Sequence, residues 1–238
     1  MSHPTLLVCA HGTDNPKGRA LVFSLVEQVR QKLPEVRVIS TYVDVQHPQV
    51  DEVLGSLSEH TEAVVVPLLL SNGYHVRHDI TAAVQQRRVT GGLTWAAPPL
   101  GPHPLLTDVL VERIHSSLGG RTPDEVVLVA AGSSDTSAMK DVEAQAELLT
   151  QGLGVPVRPA YLSAAAPTVE QALMQSADGS LTVVSPYLIA PGFFMKKLQA
   201  IVTLRSQEQN SEFVVAAPLG DEARLAEIVI DRYHTTRP

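Results

Sequence analysis

Short apolar runs alternate with longer amphipathic stretches along the whole chain. In the first half, the apolar runs predict strands at residues 5–10, 37–43, 63–70 and 93–96. The stretches between them predict helices at residues 19–33, 48–59, 79–87 and 104–118. This alternation is typical of β-α units, in which right-handed crossovers place helices on both faces of a small parallel sheet. We therefore predict an α/β fold.

The same pattern occurs twice. The segment "LLVCAHGTD", which begins at Leu6, reads again as "VLVAAGSSD" from Val127. Two further pairs, Pro67 with Pro186 and Pro99 with Pro218, have equal spacing, so few insertions separate the copies. We predict two duplicated domains, residues 1–119 and 124–238, joined by the turn-rich segment "GGRTPDE".

Composition narrows the class of protein. Hydrophobic residues make up 44% of the chain and charged residues 18%, a balance typical of soluble globular proteins. A formal net charge of −7 argues against a nucleic-acid partner, because polyanion binders carry a basic field. The lone Cys9 lies in an apolar run and is expected in the core. No signal peptide and no membrane-length apolar run is found, so we expect a cytoplasmic protein with no membrane partner.

Ionisable and small residues follow the first three predicted strands of the first copy. The carboxyl ends of parallel strands meet at one edge of a sheet, where α/β proteins bind their ligands. We therefore expect these residues to surround one crevice: His11, Gly12 and Thr13 after the first strand, Asp44 and His47 after the second, and Ser71, Gly73, His75, Arg77, His78 and Asp79 after the third.

The second copy lacks the candidate ligands of the first. His11, Asp44, His47, His75 and His78 are replaced there by Ala131, Ser163, Ala166, Phe194 and Lys197. Histidines that only supported the fold would be needed in both copies, since the copies share a scaffold. The first copy is therefore predicted to be the chemically specialised one.

Two neutral imidazoles from different strand ends can hold a divalent metal such as Fe(II), Co(II), Ni(II) or Zn(II). His11 and His75 are the main pair. Asp44 could neutralise the metal charge or accept a proton, or it could only form a turn. His47 is expected in a loop beside the site, and His78 in a solvated first helical turn. So few ligands leave open positions, which suits a metal that is held briefly and then leaves.

Three segments carry a resemblance to a known family: "HG" after the first strand, "PLLLSNGYH" with a following acidic residue after the third, and "PLG" after the fourth. Together with the duplication they resemble the sirohydrochlorin chelatases in their long, two-domain form. The resemblance implies the class II chelatase fold of two flavodoxin-like lobes, and insertion of Fe2+ (siroheme) or Co2+ (cobalamin) into sirohydrochlorin without ATP. It also implies that His11 and His75 are catalytic and bind the metal, with Asp44 as a third catalytic residue.

The implied substrates are sirohydrochlorin and a divalent metal, Fe2+, Co2+ or Ni2+, with no permanently bound cofactor. Sirohydrochlorin carries many carboxylates, which Arg77, Lys196 and Lys197 could bind, although a solvated charged face is an open alternative. Phe194 could line the flat ring or only pack within the protein. We include Gly12, Thr13, Ser71 and Gly73 among the substrate-binding residues and expect a monomer, because one chain carries both copies.

Other classes of function fit less well. A tetrapyrrole or metal carrier would use the same pocket without catalysis and remains the main alternative. A phosphatase or mutase would place an arginine before the histidine, where this chain has Ala10. A dinucleotide-dependent oxidoreductase would carry a glycine-rich fingerprint after the first strand, which is absent.

Overall fold

The computed structural model describes residues 3–74 and 76–236, except for the side chain of Arg77. The first half contains, in order, β1 (Thr5–Ala10), α1 (Pro16–Lys32), β2 (Val38–Tyr42), α2 (Val50–Ser56), β3 (Ala63–Pro67), a π-helical turn (Val76–Ile80), α3 (Thr81–Val89), β4 (Thr94–Ala96) and α4 (Pro104–Leu118). The second half contains β5 (Glu125–Ala130), α5 (Thr136–Leu153), β6 (Val157–Tyr161), α6 (Val169–Leu173), β7 (Leu181–Tyr187), α7 (Phe193–Glu208), β8 (Glu212–Val215) and α8 (Ala223–Thr235).

The strands form two four-stranded parallel sheets with the same topology. Their orders are β2-β1-β3-β4 and β6-β5-β7-β8. In the first sheet Cys9 of β1 lies opposite Thr41 of β2 on one side and Pro67 of β3 on the other, so the three strands end together. The predicted α/β fold with two flavodoxin-like lobes is confirmed.

Helices cover both faces of the first sheet, which explains why its central strands are apolar at every position. On one face Leu7 and Val65 pack against residues of α2 and α3, among them Leu54 and Val84. The alternate strand residues, such as Leu6, are equally buried, and α8 lies against β3. A parallel strand covered on both sides gains from continuous hydrophobicity rather than from alternation.

The two compact units of the structure differ from the two sequence repeats, because the last helix of each repeat belongs to the unit formed mainly by the other repeat. One unit comprises Met1–Leu100 and Asp221–Pro238, and the other comprises Gly101–Gly220. Within the second unit, Gln145 of α5 donates a hydrogen bond to the Thr107 hydroxyl of α4 at 2.8 Å. Within the first, the buried Tyr233 hydroxyl of α8 donates to the Pro4 carbonyl at 2.7 Å. The domain bounds 1–119 and 124–238 describe the duplicated sequence and stay a prediction. The compact units differ from them because α4 and α8 change places.

The predicted elements match closely, and the two differences that concern the site both lie after the start of β3. β1 and α4 have the predicted bounds, but the third strand ends at Pro67 instead of residue 70, because its neighbours β1 and β4 end at Ala10 and Ala96. The third helix was expected to begin at residue 79, whereas a π-helical turn already begins at Val76. No helix within residues 3–74 and 76–236 has the length and hydropathy needed to cross a bilayer.

Candidate active site

His11 is the first residue after β1 and lies exposed at the carboxyl edge of the first sheet. Its Nδ1 lies 3.3 Å from the carbonyl oxygen of Gly12. When Nδ1 carries the proton and donates to that carbonyl, the lone pair of the neutral imidazole is on Nε2. Nε2 is then the nitrogen that can accept a proton or coordinate a metal.

The loop after β1 is held tightly against the loop after β2. The Asp44 amide donates to the His11 carbonyl at 3.0 Å, and the Thr13 amide donates to Gln46 Oε1 at 2.9 Å. Gly12 has a φ of 96°, and a Cβ atom there would lie 2.0 Å from the Asp44 carbonyl oxygen. Only glycine permits both this backbone conformation and this approach. The expected proximity of His11 and Asp44 along the backbone is therefore confirmed.

Asp44 is exposed beside His11, and its conformation is fixed within its own loop. Its Oδ1 accepts a hydrogen bond from the Val45 amide at 2.7 Å, and its carbonyl oxygen accepts one from the Gln46 amide. A carboxylate in this position can neutralise positive charge next to the imidazole or receive a proton. Its assignment as a catalytic residue stays a prediction.

The loop after β3 reaches the same edge of the sheet. The Leu68 amide donates to the Cys9 carbonyl at 2.8 Å, and the Gly73 amide donates to the Ser71 carbonyl at 2.9 Å, which forms a tight turn. His75, the predicted partner of His11, lies outside the described residues. Among those that are described, no three His, Cys, Asp or Glu side chains form a group that could hold a metal. The two-histidine metal site therefore stays a prediction.

The segment that follows His75 is a π-helical turn, a conformation that is often found at functional sites. His78 is exposed on this turn, as expected, and its ring stacks on Tyr74 with centroids 4.3 Å apart and planes inclined by 26°. Sequence reasoning did not identify this pair, although the spacing of four residues places side chains on one helical face. The side chain of Arg77, a predicted ligand of substrate carboxylates, lies outside the described part of the chain.

His47 lies in the loop after β2, as predicted, and has a partner that sequence reasoning missed. Its Nδ1 lies 3.0 Å from Oε2 of Glu52, and both side chains are largely exposed. The hydrogen bond from His47 lowers the pKa of the Glu52 carboxyl. Glu52 also accepts a hydrogen bond from the Gln49 amide at the start of α2, so the pair belongs to a helix terminus.

Two buried residues with polar side-chain atoms, Cys9 and Thr41, lie at the ends of β1 and β2, close in sequence to His11 and Asp44. Cys9 is fully buried, as predicted, and its position faces Thr41, which is also fully buried. Burial, together with the negative charge of Asp79, raises the pKa of the Cys9 thiol to about 12. Val129 and Ala160 occupy the corresponding pair of positions in the second sheet. A neutral, unreactive thiol is therefore expected under His11.

The second repeat keeps the loop construction without the ionisable groups. Gly132 has a φ of 95°, and a Cβ atom there would lie 1.8 Å from the Ser163 carbonyl oxygen. The Ser163 hydroxyl donates to the Ala131 carbonyl at 2.8 Å. The close approach of the two loops is therefore a property of the scaffold, whereas His11 and Asp44 are particular to the first repeat.

The start of α7 occupies the place that the His75 loop has in the first repeat. Phe193 is 75% exposed, whereas Phe194 is partly buried against the core of the second sheet. Lys196 is exposed, and Lys197 donates from Nζ to the Leu162 carbonyl oxygen at 2.5 Å. The substrate-binding roles of Phe194, Lys196 and Lys197 stay predictions, and of the two phenylalanines at the start of α7 Phe193 is the accessible one.

Comparison with known proteins agrees with this construction. The family model described as CbiX matches residues 5–117 and, a second time, residues 125–236. The chain belongs to the CbiX family. Each CbiX match covers one of the two sequence repeats, and the resemblance to the sirohydrochlorin chelatases is thereby confirmed.

Relatives of this CbiX chain carry chelatase names. The protein named sirohydrochlorin ferrochelatase from Priestia megaterium is 28% identical over 238 residues, which cover 97% of this chain and 89% of that protein. The protein named sirohydrochlorin cobaltochelatase from Sulfolobus acidocaldarius is 26% identical over 115 residues, 48% of this chain and 91% of that protein. The solved structure of SirB from Bacillus subtilis with Fe3+ has a TM-score of 0.84 at 22% identity, over 98% of this chain and 95% of that chain. This last likeness shows the shared fold.

Proposed function

We propose that this chain is a sirohydrochlorin chelatase that inserts a divalent metal into the tetrapyrrole without ATP. One observation carries the proposal: in a member of the CbiX family, the backbones of an exposed histidine at the end of β1 and an exposed aspartate after β2 are held together by two closely packed loops. The second repeat has the same loops and neither group, so the groups serve something other than folding.

The reaction makes two demands on the protein. Two pyrrole N–H groups must each lose a proton while the metal exchanges its water ligands for four ring nitrogens. An imidazole can accept a proton from the ring or hold the metal weakly before transfer. We assign these tasks to His11 and His75, and we assign to Asp44 the neutralisation of charge beside them.

Fe2+ is the preferred substrate metal in this proposal, with Co2+ as the alternative and Ni2+ as a third candidate. Support comes from the relatives: the Priestia megaterium protein, which matches 97% of this chain, is named a ferrochelatase, and the Sulfolobus acidocaldarius protein, which matches 48% of this chain, is named a cobaltochelatase. Imidazole and carboxylate ligands bind all three ions, with affinities that follow the metal rather than the protein. Selection among them must therefore be measured.

The proposal is tested by metal insertion under anaerobic conditions without nucleotide. Sirohydrochlorin is mixed with Fe2+, Co2+ or Ni2+, and the absorption change is followed with wild type, His11→Ala and His60→Ala. His60 is an exposed histidine in the turn before β3, at the opposite edge of the same sheet, and serves as the matched control. Loss of a general base or metal ligand predicts a fall in kcat/KM of about 100-fold or more for His11→Ala and none for His60→Ala.

A tetrapyrrole or metal carrier gives a different result in the same experiment. Wild type would bind sirohydrochlorin or metal but would not accelerate insertion above the spontaneous rate. Equal rates with and without protein, for all three metals, would refute the chelatase proposal. His75→Ala, measured alongside, separates the two predicted histidines.

A further inference from the structure

Val45, in the loop after β2, has a backbone conformation that is unfavourable for its side chain. Its φ is 62°, in the left-handed region where a β-branched residue is a genuine outlier. The corresponding residue of the second repeat, Ala164, has a φ of 55°. The left-handed turn therefore belongs to the shared scaffold, and the branched side chain is the feature that is particular to the first repeat.

The surrounding loop holds Val45 in this conformation. Asp44 Oδ1 accepts the Val45 amide hydrogen bond, and the Gln46 amide donates to the Asp44 carbonyl. The Gln46 side chain in turn accepts from the Thr13 amide, so the residues on both sides of Val45 are tied to the loop that carries His11. Strain that is maintained in this way commonly marks functional positions.

The valine side chain contributes little to the core of the first unit. Val45 is 44% exposed, although glycine or asparagine would fit the turn with less strain. An exposed isopropyl group next to Asp44 leaves apolar surface in water. This arrangement is explained if a ligand with an apolar face covers the side chain when it binds.

We propose that Val45 is a substrate-contacting residue whose isopropyl group packs against the flat face of the macrocycle bound at His11. This inference rests on the proposed function and adds a contact to that site. The conjugated ring of a tetrapyrrole offers a broad apolar face inside a rim of carboxylates. An aliphatic side chain between Asp44 and Gln46 suits the face, whereas the charged groups nearby suit the rim and the metal.

The test uses two variants at position 45 and one matched control. Val45→Gly removes both the proposed contact and the backbone strain. Val45→Thr keeps the shape and the strain but replaces a methyl by a hydroxyl. Ala164→Gly, the control, makes the equivalent backbone change in the second repeat. Metal-free sirohydrochlorin is titrated by absorption, and KM and kcat are measured with Fe2+ and Co2+. Thermal unfolding reports on the backbone.

The Kd and KM for sirohydrochlorin are expected to rise roughly tenfold in Val45→Gly and about twofold in Val45→Thr, since the binding free energy lost is proportional to the three carbons or the one carbon removed. The kcat at saturation should stay within about twofold, and Ala164→Gly should bind as wild type does. A wild-type Kd in both position-45 variants would overturn the inference. Weaker binding in Val45→Gly alone, together with a lowered unfolding midpoint, would also overturn it, because the effect would then come from the backbone and not from the side chain. A wild type that binds the ring through Val45 but never accelerates insertion would instead refute the chelatase proposal and leave the contact standing.

Discussion

The close approach of Gly12 to the loop after β2 allows a sharp test of where the chemistry takes place. In Gly12→Ala the new Cβ atom would lie 2.0 Å from the Asp44 carbonyl oxygen, whereas ordinary contact begins at 3.4 Å. The two loops must therefore separate by about 1.4 Å. Gly132→Ala is the matched control, because its Cβ atom would lie 1.8 Å from the Ser163 carbonyl oxygen at nearly the same φ.

The loss of stability is expected to be similar in the two variants. An L-residue in a left-handed conformation costs about 1–2 kcal/mol. Overpacking typically adds roughly 1–3 kcal/mol. The free energy of unfolding should then fall by about 2–5 kcal/mol in each case. Catalysis should differ, since a displacement of about 1 Å at a reacting group can lower the rate about 100-fold. Gly12→Ala moves His11 relative to Asp44, whereas Gly132→Ala moves no ionisable group.

Urea unfolding and metal-insertion kinetics measure both effects. The rates are compared at a temperature where the unfolding curves show both variants to be folded. We expect kcat/KM to fall about 100-fold in Gly12→Ala and by only a few-fold in Gly132→Ala. Equal losses of activity at equal stability would refute the assignment of chemistry to the first repeat. Wild-type stability in either variant would refute the steric argument.

Two further predictions concern stability. Burial raises the pKa of the Cys9 thiol from its ordinary value of 9.0 to about 12, so the stability that the neutral thiol contributes is fully present below pH 9 and is lost as the pH rises towards 12. Between pH 8 and pH 10 the free energy of unfolding of wild type should fall by about 1 kcal/mol more than that of Cys9→Val. An equal pH dependence of the two proteins in urea unfolding would contradict this. Arg87 is buried and donates to the carbonyls that end α2 and begin the turn before β3, at Leu54, Leu57, Ser58 and Thr61. Arg87→Met should lower the free energy of unfolding by about 3 kcal/mol, because one buried and three partly buried carbonyls lose their donor. The exposed Arg37→Met should change it by less than about 0.5 kcal/mol. Equal effects of the two variants in thermal unfolding would show that the Arg87 hydrogen bonds contribute little.

Periodicity in the sequence predicted the elements wherever burial changes at their ends. β1 begins and ends with the apolar run, and α4 lies between Pro104 and the left-handed Gly119, so both were located correctly. The third strand was predicted too long because Leu68 remains buried after the ladder ends. Hydrophobicity reports burial, and a buried loop has the same signal as a buried strand.

The sequence did not predict the contacts between elements that are far apart along the chain. Nothing in the composition of α4 or α8 indicates that each packs in the unit built mainly by the other repeat, because equivalent helices have equivalent apolar faces. The burial of Arg87 was also invisible, since a helix with arginine near its end is typical of an exposed C-terminus. Pattern identifies a buried face but does not identify its partner.

The placement of His11 and Asp44 at one edge of the sheet was predicted from the sequence, whereas the conformation of the loops that carry them was not. Strand order follows from the β-α alternation, and it is enough to bring His11 and Asp44 to one edge of the sheet. Two features depend on backbone conformation that a single sequence does not reveal. They are the contact between Gly12 and the Asp44 carbonyl and the left-handed turn at Val45. Only the recurrence of glycine at position 132 offered a signal for the first of these.

Comparison of the two repeats distinguishes the groups that hold the loops together from the groups that only the first repeat has. In the second repeat the Ala131 carbonyl is satisfied by the Ser163 hydroxyl, and in the first the His11 carbonyl is satisfied by the main-chain amide of Asp44. Loop closure therefore requires no carboxylate in either repeat. The Asp44 carboxylate accepts only the Val45 amide of its own loop, and the His11 side chain is exposed at the end of β1, so the contact between the two loops is made by neither side chain. The two side chains that the first repeat adds are therefore the ones whose removal should affect chemistry more than the contact between the loops.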